Sequence, residues 1–219
     1  MDYRLLGFFS GFPNHSFPQD VAKRLSKELT NRKNLIFVTA WPEDYVKNDS
    51  DSIGMHGMFE KCNIHFAQHF VIDNRMEASQ AKQLIYEASC VFLMGGHPGL
   101  QLQLIHDKDL GVAICDIDAT VLGVSAGAIN MAINSFDTKE SLVPYSGLGL
   151  ADITIKPHFE PENKRIVSKL LQISKNLPIY AMEDDSAIFV VGDRISSMGD
   201  IHLIHQGKMC PIWQGTLVL

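Results

Sequence analysis

Short apolar runs that alternate with segments of helical periodicity are the feature of this 219-residue sequence that most restricts its fold. Residues 3–9 and 34–41 are rich in aromatic and β-branched side chains and are predicted to be strands. Between them, Val21, Leu25 and Leu29 recur at the four-residue spacing of one helix face. Because such a β-α-β unit joins parallel strands through a helix, the pattern predicts a mostly parallel sheet covered by helices.

The same alternation continues through the middle of the chain. Further strands are predicted at residues 65–72, 90–94, 120–124 and 153–156, and helices at 55–62, 78–88, 100–114, 126–134 and 161–174. Residues 42–53 are polar and acidic and are predicted to form a surface connection. After Pro178, short apolar runs separated by Gly-Asp turns predict a β-rich end built from hairpins. No repeat or interdomain linker is visible, so residues 1–219 are expected to form one domain of the α/β class.

Composition and charge exclude several classes of protein. Nineteen basic and 25 acidic residues give a net charge of −6, and no basic run is present, which disfavours nucleic acid as a partner. No apolar stretch approaches the roughly eighteen residues of a membrane span, so no membrane partner is expected. Four cysteines without a C-x-x-C pair are expected to be reduced and mostly buried in a cytoplasmic protein. They are Cys62, Cys90, Cys115 and Cys210.

The most informative motif is Gly-Val-Ser-Ala-Gly at residues 123–127, between a predicted strand and a predicted helix. It matches the G-x-S-x-G pattern of a nucleophile elbow, in which a sharp turn lifts the serine above the end of the sheet. The helix that follows points its free N–H groups at the same place. Ser125 is therefore a candidate nucleophile, and a structural or anion-binding turn is the alternative. A dinucleotide-binding fingerprint would require a further glycine where Asn130 stands.

A nucleophilic serine needs a base, and His158 is the best placed of the nine histidines. A predicted strand runs directly into it, and Pro157 restricts the turn that presents its side chain. His65 and His69 would share one strand face, but no third ligand is apparent, so no zinc site is predicted. The other histidines are expected in polar, helical or hairpin segments.

A glycine-rich turn after the predicted strand 90–94 is a second candidate component of the site. Acyl transfer needs preorganised N–H donors for the developing oxyanion, and Gly95 and Gly96 can bring a backbone donor to the same sheet edge. His97 in this turn would line the pocket or lie exposed. The alternative is a tight β-α connection with no catalytic part.

Three motifs together resemble one family. The Gly-Gly turn at residues 95–96, the G-x-S-A-G-A run at 123–128 and Pro-His-Phe at 157–159 are similar to those of the serine peptidase family that includes dipeptidase E and cyanophycinase. The resemblance covers about residues 3–191. It implies a three-layer α/β/α sandwich similar to class I glutamine amidotransferases, with a serine in place of their cysteine.

The resemblance also implies roles for four residues. Ser125 would attack a peptide carbonyl while His158 accepts its proton, and the N–H groups of Gly96 and Ala126 would hold the oxyanion. Water would then release the acyl-enzyme. This chemistry requires no cofactor and no metal, and its partner would be a small peptide substrate. An esterase or amidase, or a non-catalytic small-ligand binding module on the same fold, remain alternatives. The oligomeric state stays open, a homodimer included.

The acid of the triad is less well defined, because the family has a glutamate where this chain has Asp184. Asp184 is the first candidate, and the adjacent Glu183 would serve after a shift of one residue. Asp137 and Glu140 follow the nucleophile and are further candidates. Glu160 is another, because it has the His-x-Glu spacing of the amidotransferase triad.

The loop after the candidate base bears on specificity. Dipeptidase E recognises an acidic N-terminal residue, and a carboxylate requires a cation, preferably arginine. The aspartyl dipeptidases have a longer loop that carries such a cation, whereas residues 159–163 here are short and acidic. Lys164 and Arg165 follow on a predicted helix, which can turn their side chains away from Ser125. We therefore expect a small peptidase without a strong preference for N-terminal aspartate.

Overall fold

Helices and strands alternate along the chain in the computed structural model, which describes residues 4–135, 144–212 and 215–218. The described helices are α1 (Gln19–Glu28), α2 (Tyr45–Lys61), α3 (Ala78–Tyr86), α4 (Pro98–Asp107), α5 (Gly111–Asp116), α6 (Ala126–Met131) and α7 (Lys164–Ile173). The described strands are β1 (Leu5–Phe9), β2 (Asn34–Ala40), β3 (Gln68–Ile72), β4 (Cys90–Gly96), β5 (Thr120–Val124), β6 (Ala132–Ser135), β7 (Tyr145–Ser146), β8 (Ala151–Lys156), β9 (Ile179–Met182), β10 (Ala187–Val191), β11 (Arg194–Met198), β12 (Ile201–His205), β13 (Lys208–Ile212) and β14 (Gly215–Val218). None of the described helices has the length and apolar character needed to cross a bilayer.

Eight strands form a large sheet in the order β14-β11-β10-β1-β5-β4-β2-β3. The five strands from β1 to β3 in this order are parallel to their neighbours, as the β-α-β pattern predicts. On the other side of β1, the strands β10, β11 and β14 pair antiparallel. A tight turn at Gly192, with φ 56°, makes the β10–β11 hairpin possible. The carboxyl ends of β1, β5 and β4 therefore lie side by side at one edge, where an open α/β sheet places ligands.

Helices cover both faces of this sheet because its central strands are apolar on both sides. Along β2, Leu35 and Phe37 pack into one core, and Ile36 and Val38 into the other. Residues of α1 and α2 complete the first core, and residues of α3, α4, α5 and α6 complete the second. Strands buried on both faces have continuous rather than alternating apolar sequences. The predicted three-layer α/β/α sandwich is confirmed.

A second sheet of six strands has the order β13-β12-β9-β8-β6-β7. The sequence predicts its hairpins at the C-terminal end but not β6, since residues 126–134 have the pattern of one helix. The helix α6 ends at Met131, and Ala132 is extended (φ −68°, ψ 161°) because the chain there pairs with β8. Because β8 pairs with β6 and β9, it carries His158 to the site from the second sheet.

The helix α2 replaces most of the surface connection that the polar sequence of residues 42–53 predicts. Asp44 caps its N-terminus by accepting a hydrogen bond from the Lys47 N–H at 3.2 Å. Asn48 is buried, and its amide group donates to the Trp41 carbonyl at 2.9 Å. The inward face of the first half of this helix is polar but hydrogen-bonded, a pattern that apolar periodicity does not detect.

The cysteines correct another expectation, that most of them are buried. Cys90 is buried in β4, and burial raises the pKa of its thiol. Cys62 is half-buried, whereas Cys115 and Cys210 are exposed. The two exposed cysteines lie outside the hydrophobic core. The sequence alone does not show which cysteines are exposed.

Candidate active site

Ser125 forms a sharp turn between β5 and α6. The strand ends at Val124 and the helix begins at Ala126, so one residue redirects the chain. Its backbone has φ 52° and ψ −109°, a strained conformation for a residue other than glycine. The Ser125 N–H donates a hydrogen bond to the Phe9 carbonyl of β1 at 2.9 Å. This bond ties the turn to the end of the neighbouring strand.

The two glycines of the motif let α6 pass close to the sheet. A Cβ at Gly123 would lie 2.6 Å from the carbonyl carbon of Gly127. A Cβ at Gly127 would collide with the carbonyl oxygen of Leu93 in β4. Because these neighbours are backbone atoms, they cannot rotate away. Packing of α6 against β4 and β5 therefore requires glycine at both positions, whatever the chemistry of Ser125.

We expect Gly127→Ala to destabilise the protein. Relieving the overlap with Leu93 requires α6 to move away from β4, and overpacking of this kind costs about 1–3 kcal/mol. Gly57→Ala is the matched control, because a Cβ there in α2 meets no atom within 4 Å and alanine favours helix. Urea unfolding of both variants measures the free energies. Equal stability of Gly127→Ala and wild type would contradict this account of the motif.

His158 stands directly beside the serine. Its Nε2 lies 2.8 Å from Ser125 Oγ, and its Nδ1 lies 2.7 Å from Oδ1 of Asp184. An ionised carboxylate only accepts hydrogen bonds, so Nδ1 carries the imidazole proton and Nε2 accepts from the serine hydroxyl. The three side chains thus form one continuous chain of hydrogen bonds.

The histidine is held from its backbone. His158 follows β8 and has φ 50°, a left-handed conformation. Its N–H donates to Oγ of Ser10 at 2.7 Å. The buried Lys156 ammonium donates to the carbonyl oxygens of Pro157 and His158. These contacts fix the turn that presents the imidazole.

Of the candidate acids in the described chain, Asp184 is the one that meets His158. Glu183 instead accepts a hydrogen bond from His202 Nε2 at 2.9 Å. Glu160 is exposed and makes no hydrogen bond or ion pair with His158. Two further candidates lie outside the described residues: Asp137 and Glu140.

The site is open to solvent. The side chains of His158 and Asp184 are 49% and 43% exposed. A second carboxyl group follows at Asp185, whose N–H donates to the Gly11 carbonyl at 2.8 Å. Partial burial raises the pKa of Asp185, and the charge of Asp184 raises it further. A substrate can reach the serine and histidine directly from solution.

The Gly-Gly turn ends β4 next to the serine. A Cβ at Gly95 would lie 3.6 Å from the Cβ of Ser125. Gly96 has φ 142°, and a Cβ there would collide with the Trp41 indole. Only glycine fits this backbone. The backbone of this turn and the start of α6 at Ala126 therefore both border Ser125.

His97 in the same turn has a structural contact. Its Nδ1 accepts a hydrogen bond from the Leu100 N–H at 3.2 Å and so caps α4. Its ring meets Trp41 edge to face, with centroids 6.0 Å apart. His97 is thus a half-buried helix cap rather than an exposed loop histidine.

A cavity of about 510 Å³ opens beside Trp41. Its walls come from the segment after β2 and from α4, and they include Leu100 and Leu104. Three carboxylates line it, without a lysine, arginine or histidine among its described lining residues: Glu43, Asp44 and Asp107. An acidic ligand group placed here would meet like charges, which is unfavourable.

The sequence did not indicate Ser10 and Gly11, the two residues after β1. A Cβ at Gly11 would lie 2.5 Å from His158 Cε1 and 2.6 Å from Asp184 Oδ1. The sequence did contain a signal for these two residues. They follow the predicted strand 3–9, and ligand sites lie at the carboxyl ends of parallel strands. The order of strands was needed to place that end beside Ser125.

His65 and His69 contact other side chains, not each other. His65 precedes β3, so the shared strand face is wrong, and its Nδ1 pairs with Glu60 at 2.6 Å. His69 stacks on His56 with centroids 4.5 Å apart, and burial and the His56 charge lower its pKa. Among the described residues, no group of three His, Cys, Asp or Glu could hold a metal ion.

Comparison with known proteins identifies a family and similar folds. The model of peptidase family S51 matches residues 5–198. The crystal structure of a peptidase from an acI-B1 Actinobacterium has a TM-score of 0.69 and 14% identity, covering 100% of this chain and 98% of that one. A putative peptidase E protein from Listeria monocytogenes EGD-e has a TM-score of 0.67 and 18% identity, covering 90% and 98%. No curated protein matches in sequence. The fold, the serine motif and the family match agree: this chain belongs to peptidase family S51, the family of dipeptidase E.

Proposed function

We propose that this peptidase cleaves small peptides through a triad of Ser125, His158 and Asp184. One observation carries the proposal, the chain of hydrogen bonds of 2.8 Å from Ser125 to His158 and 2.7 Å from His158 to Asp184. A nucleophile, a base and an orienting acid within hydrogen-bond reach are the signature of such a triad. The strained turn at Ser125 supports the interpretation as a nucleophile elbow.

Each atom then has a role in acyl transfer. Ser125 Oγ attacks the peptide carbonyl carbon while His158 Nε2 takes the hydroxyl proton. Nε2 passes that proton to the leaving amine as the C–N bond breaks, and an ester remains on Ser125. Water then attacks the ester, giving a proton to Nε2 that returns to Oγ. Asp184 keeps the Nδ1 proton directed at itself and stabilises the imidazolium.

The oxyanion is assigned to the N–H groups of Gly96 and Ala126. Ala126 is the first residue of α6, where N–H groups lack an intrahelical acceptor. The Ser125 N–H is already bonded to the Phe9 carbonyl, so it is not the donor. The proximity of Gly95 to Ser125, whose Cβ would lie 3.6 Å from a Cβ built at Gly95, supports a second donor from the Gly-Gly turn. Two donors that are fixed before reaction lower the energy of the tetrahedral intermediate.

Covalent labelling tests the proposal. A fluorophosphonate probe is expected to label the wild type on Ser125, because it reacts with activated serines, and to leave Ser125→Ala unlabelled. A non-catalytic binding module with the same fold would show no labelling. Comparing kcat/KM for dipeptides and for simple esters then separates a peptidase from an esterase. Hydrolysis of esters alone would overturn the peptide assignment.

We also propose that the enzyme lacks a strong preference for N-terminal aspartate. The helix α7 begins at Lys164, capped by Asn163, so the loop after His158 stays short. Lys164 and Arg165 are exposed and form no ion pair in the part of the chain that the structure describes. The cavity beside Trp41 has carboxylates and no cation among its described lining residues. The short acidic loop and the acidic cavity therefore do not provide the cation that recognition of an acidic residue needs.

A panel of dipeptides and tripeptides that differ at the first residue tests this preference. We expect Asp-X to be cleaved with a kcat/KM no more than about a hundredfold above Ala-X or Leu-X, a ratio worth about 2.7 kcal/mol. Ser125→Ala serves as the blank. A larger preference for Asp-X would contradict the expectation, and its loss in Arg165→Gln or Lys164→Gln would then identify the cation.

We further propose a cytoplasmic location. The four cysteines all lie in the described chain and are free, two of them on the surface. Exposed free thiols persist in a reducing compartment. Fractionation of cells that express the protein tests this, and recovery outside the cytoplasmic fraction would contradict it.

A further inference from the structure

We propose that Ser10 is a positioning residue whose buried hydroxyl sets the relation between His158 and Asp184. Ser10 follows β1 and is 0% exposed. The consequence for turnover rests on the function proposed above, but the geometric part can be tested without it.

The Ser10 hydroxyl joins the two segments that carry the histidine and the acid. Its Oγ accepts a hydrogen bond from the His158 N–H at 2.7 Å and donates to the Met182 carbonyl at 2.9 Å. Asp184 Oδ1 lies farther from Oγ, at 3.4 Å. A hydroxyl has one proton and two acceptor sites. The hydroxyl proton is donated to the Met182 carbonyl, and a lone pair accepts from the His158 N–H. The hydroxyl therefore acts as a donor and as an acceptor at once.

The histidine and the acid need such a link because surface packing does not hold them. Their side chains are 49% and 43% exposed, and they come from separate segments, after β8 and after β9. His158 also has a left-handed backbone, with φ 50°, which persists only when its surroundings impose it. The bond from its N–H to Ser10 is one such constraint.

The end of β1 contacts Ser125, His158 and the segment that carries Asp184. The Phe9 carbonyl accepts from the Ser125 N–H at 2.9 Å, and the Gly11 carbonyl accepts from the Asp185 N–H at 2.8 Å. Between them, Ser10 makes its contact through a side chain. Mutation can therefore remove the Ser10 bond while leaving the backbone bonds of this frame in place.

Ser10→Ala removes the bond without adding atoms. We expect kcat to fall about 10- to 100-fold, because small misplacement of a catalytic group has effects of this size. KM should stay within about threefold, since the buried hydroxyl is not available to substrate. A loss confined to KM would contradict a role in positioning the base.

Ser174→Ala is the matched control. Ser174 is also 0% exposed, its hydroxyl donates to the Leu171 carbonyl at 2.9 Å and it accepts from the Gly207 N–H at 3.1 Å. The chemical change is the same, but none of these partners belongs to the triad. Both variants are expected to lose similar stability, and Ser174→Ala is expected to keep wild-type kcat.

A second pair of variants isolates the hydroxyl from the volume. Ser10→Thr and Ser10→Val introduce side chains of the same shape, and only threonine keeps the hydroxyl. We expect higher kcat in Ser10→Thr than in Ser10→Val. Equal kcat in two folded variants would contradict the proposal. If neither folds, Ser10→Ala and Ser174→Ala carry the test.

The far-downfield proton resonance of an imidazole Nδ1–H bonded to a carboxylate gives a readout that does not depend on turnover. It is assigned by its loss in Asp184→Asn. We expect Ser10→Ala to shift or broaden it and Ser174→Ala to leave it in place. An unchanged resonance and a kcat within about threefold of wild type in Ser10→Ala would overturn the inference. A wild type that shows the resonance but neither labels nor cleaves peptides would overturn the proposed function instead, while the comparison of resonances still decides the role of Ser10.

Discussion

Ser125→Ala is expected to lower kcat by about 10⁴- to 10⁶-fold while leaving the fold intact. In the proposed mechanism, the alanine removes the oxygen that would form the acyl-enzyme, and His158 would have no hydroxyl to deprotonate. His158→Ala should have a loss of the same order, because the two groups act as one unit. For the same reason the double variant should be little worse than either single one.

The control for the histidine is His65→Ala, which breaks another exposed histidine–carboxylate pair, the one with Glu60 at 2.6 Å. This variant should keep wild-type kcat. The measurement is steady-state hydrolysis of a cleaved dipeptide, with thermal unfolding to verify the fold. If Ser125→Ala keeps more than about a tenth of wild-type turnover, the triad is wrongly assigned, since a true nucleophile cannot be lost so mildly.

The second large effect is expected from Asp184→Asn, with a loss of about 10² to 10⁴ in kcat. An amide can present its NH₂ group to Nδ1, which favours the tautomer that carries the proton on Nε2. That nitrogen then cannot accept the Ser125 proton. Because Nδ1 and Oδ1 are only 2.7 Å apart, the side chain at position 184 directly selects the tautomer of His158.

Three isosteric changes at other carboxylates provide the controls for Asp184. Glu183→Gln changes the adjacent acid, which bonds to His202 rather than to the His158 imidazole. Asp137→Asn and Glu140→Gln change the candidates that follow the serine. All three should stay within a few fold of wild type. A large loss in one of the latter two, with a mild effect in Asp184→Asn, would move the acid to the segment after α6.

Local signals explain why a candidate nucleophile and a candidate base could be named from the sequence. The turn at residues 123–127 has a short-range signature, because two glycines and a small residue permit a close strand–helix reversal there, although the contact that requires Gly127 is with Leu93 of β4. His158 was found because a strand and a proline lead directly into it. In each case the motif that identified the candidate spans about six residues of the chain.

Local signals failed where long-range contacts override them. The first half of helix α2 has no apolar stripe, because Asn48 and Ser52 are buried through polar contacts rather than through hydrophobicity. The helix predicted for residues 126–134 ends early, because β6 finds a pairing partner in β8, about twenty residues later in the chain.

The sequence by itself determined the α/β class, the nucleophile candidate, the base candidate and the family, since each depends on residue type and short spacing. The choice of Asp184 over Glu183 as the contact of His158 was decided only by the tertiary structure. Adjacent carboxylates are equivalent in a sequence, but after β9 one points to the imidazole and the other to His202. Ser10 also became visible only in the fold, where the order β10-β1-β5 places the end of β1 among three segments that are more than 100 residues away along the chain. Proximity of that kind arises from the pairing of strands, which no local pattern of side chains encodes.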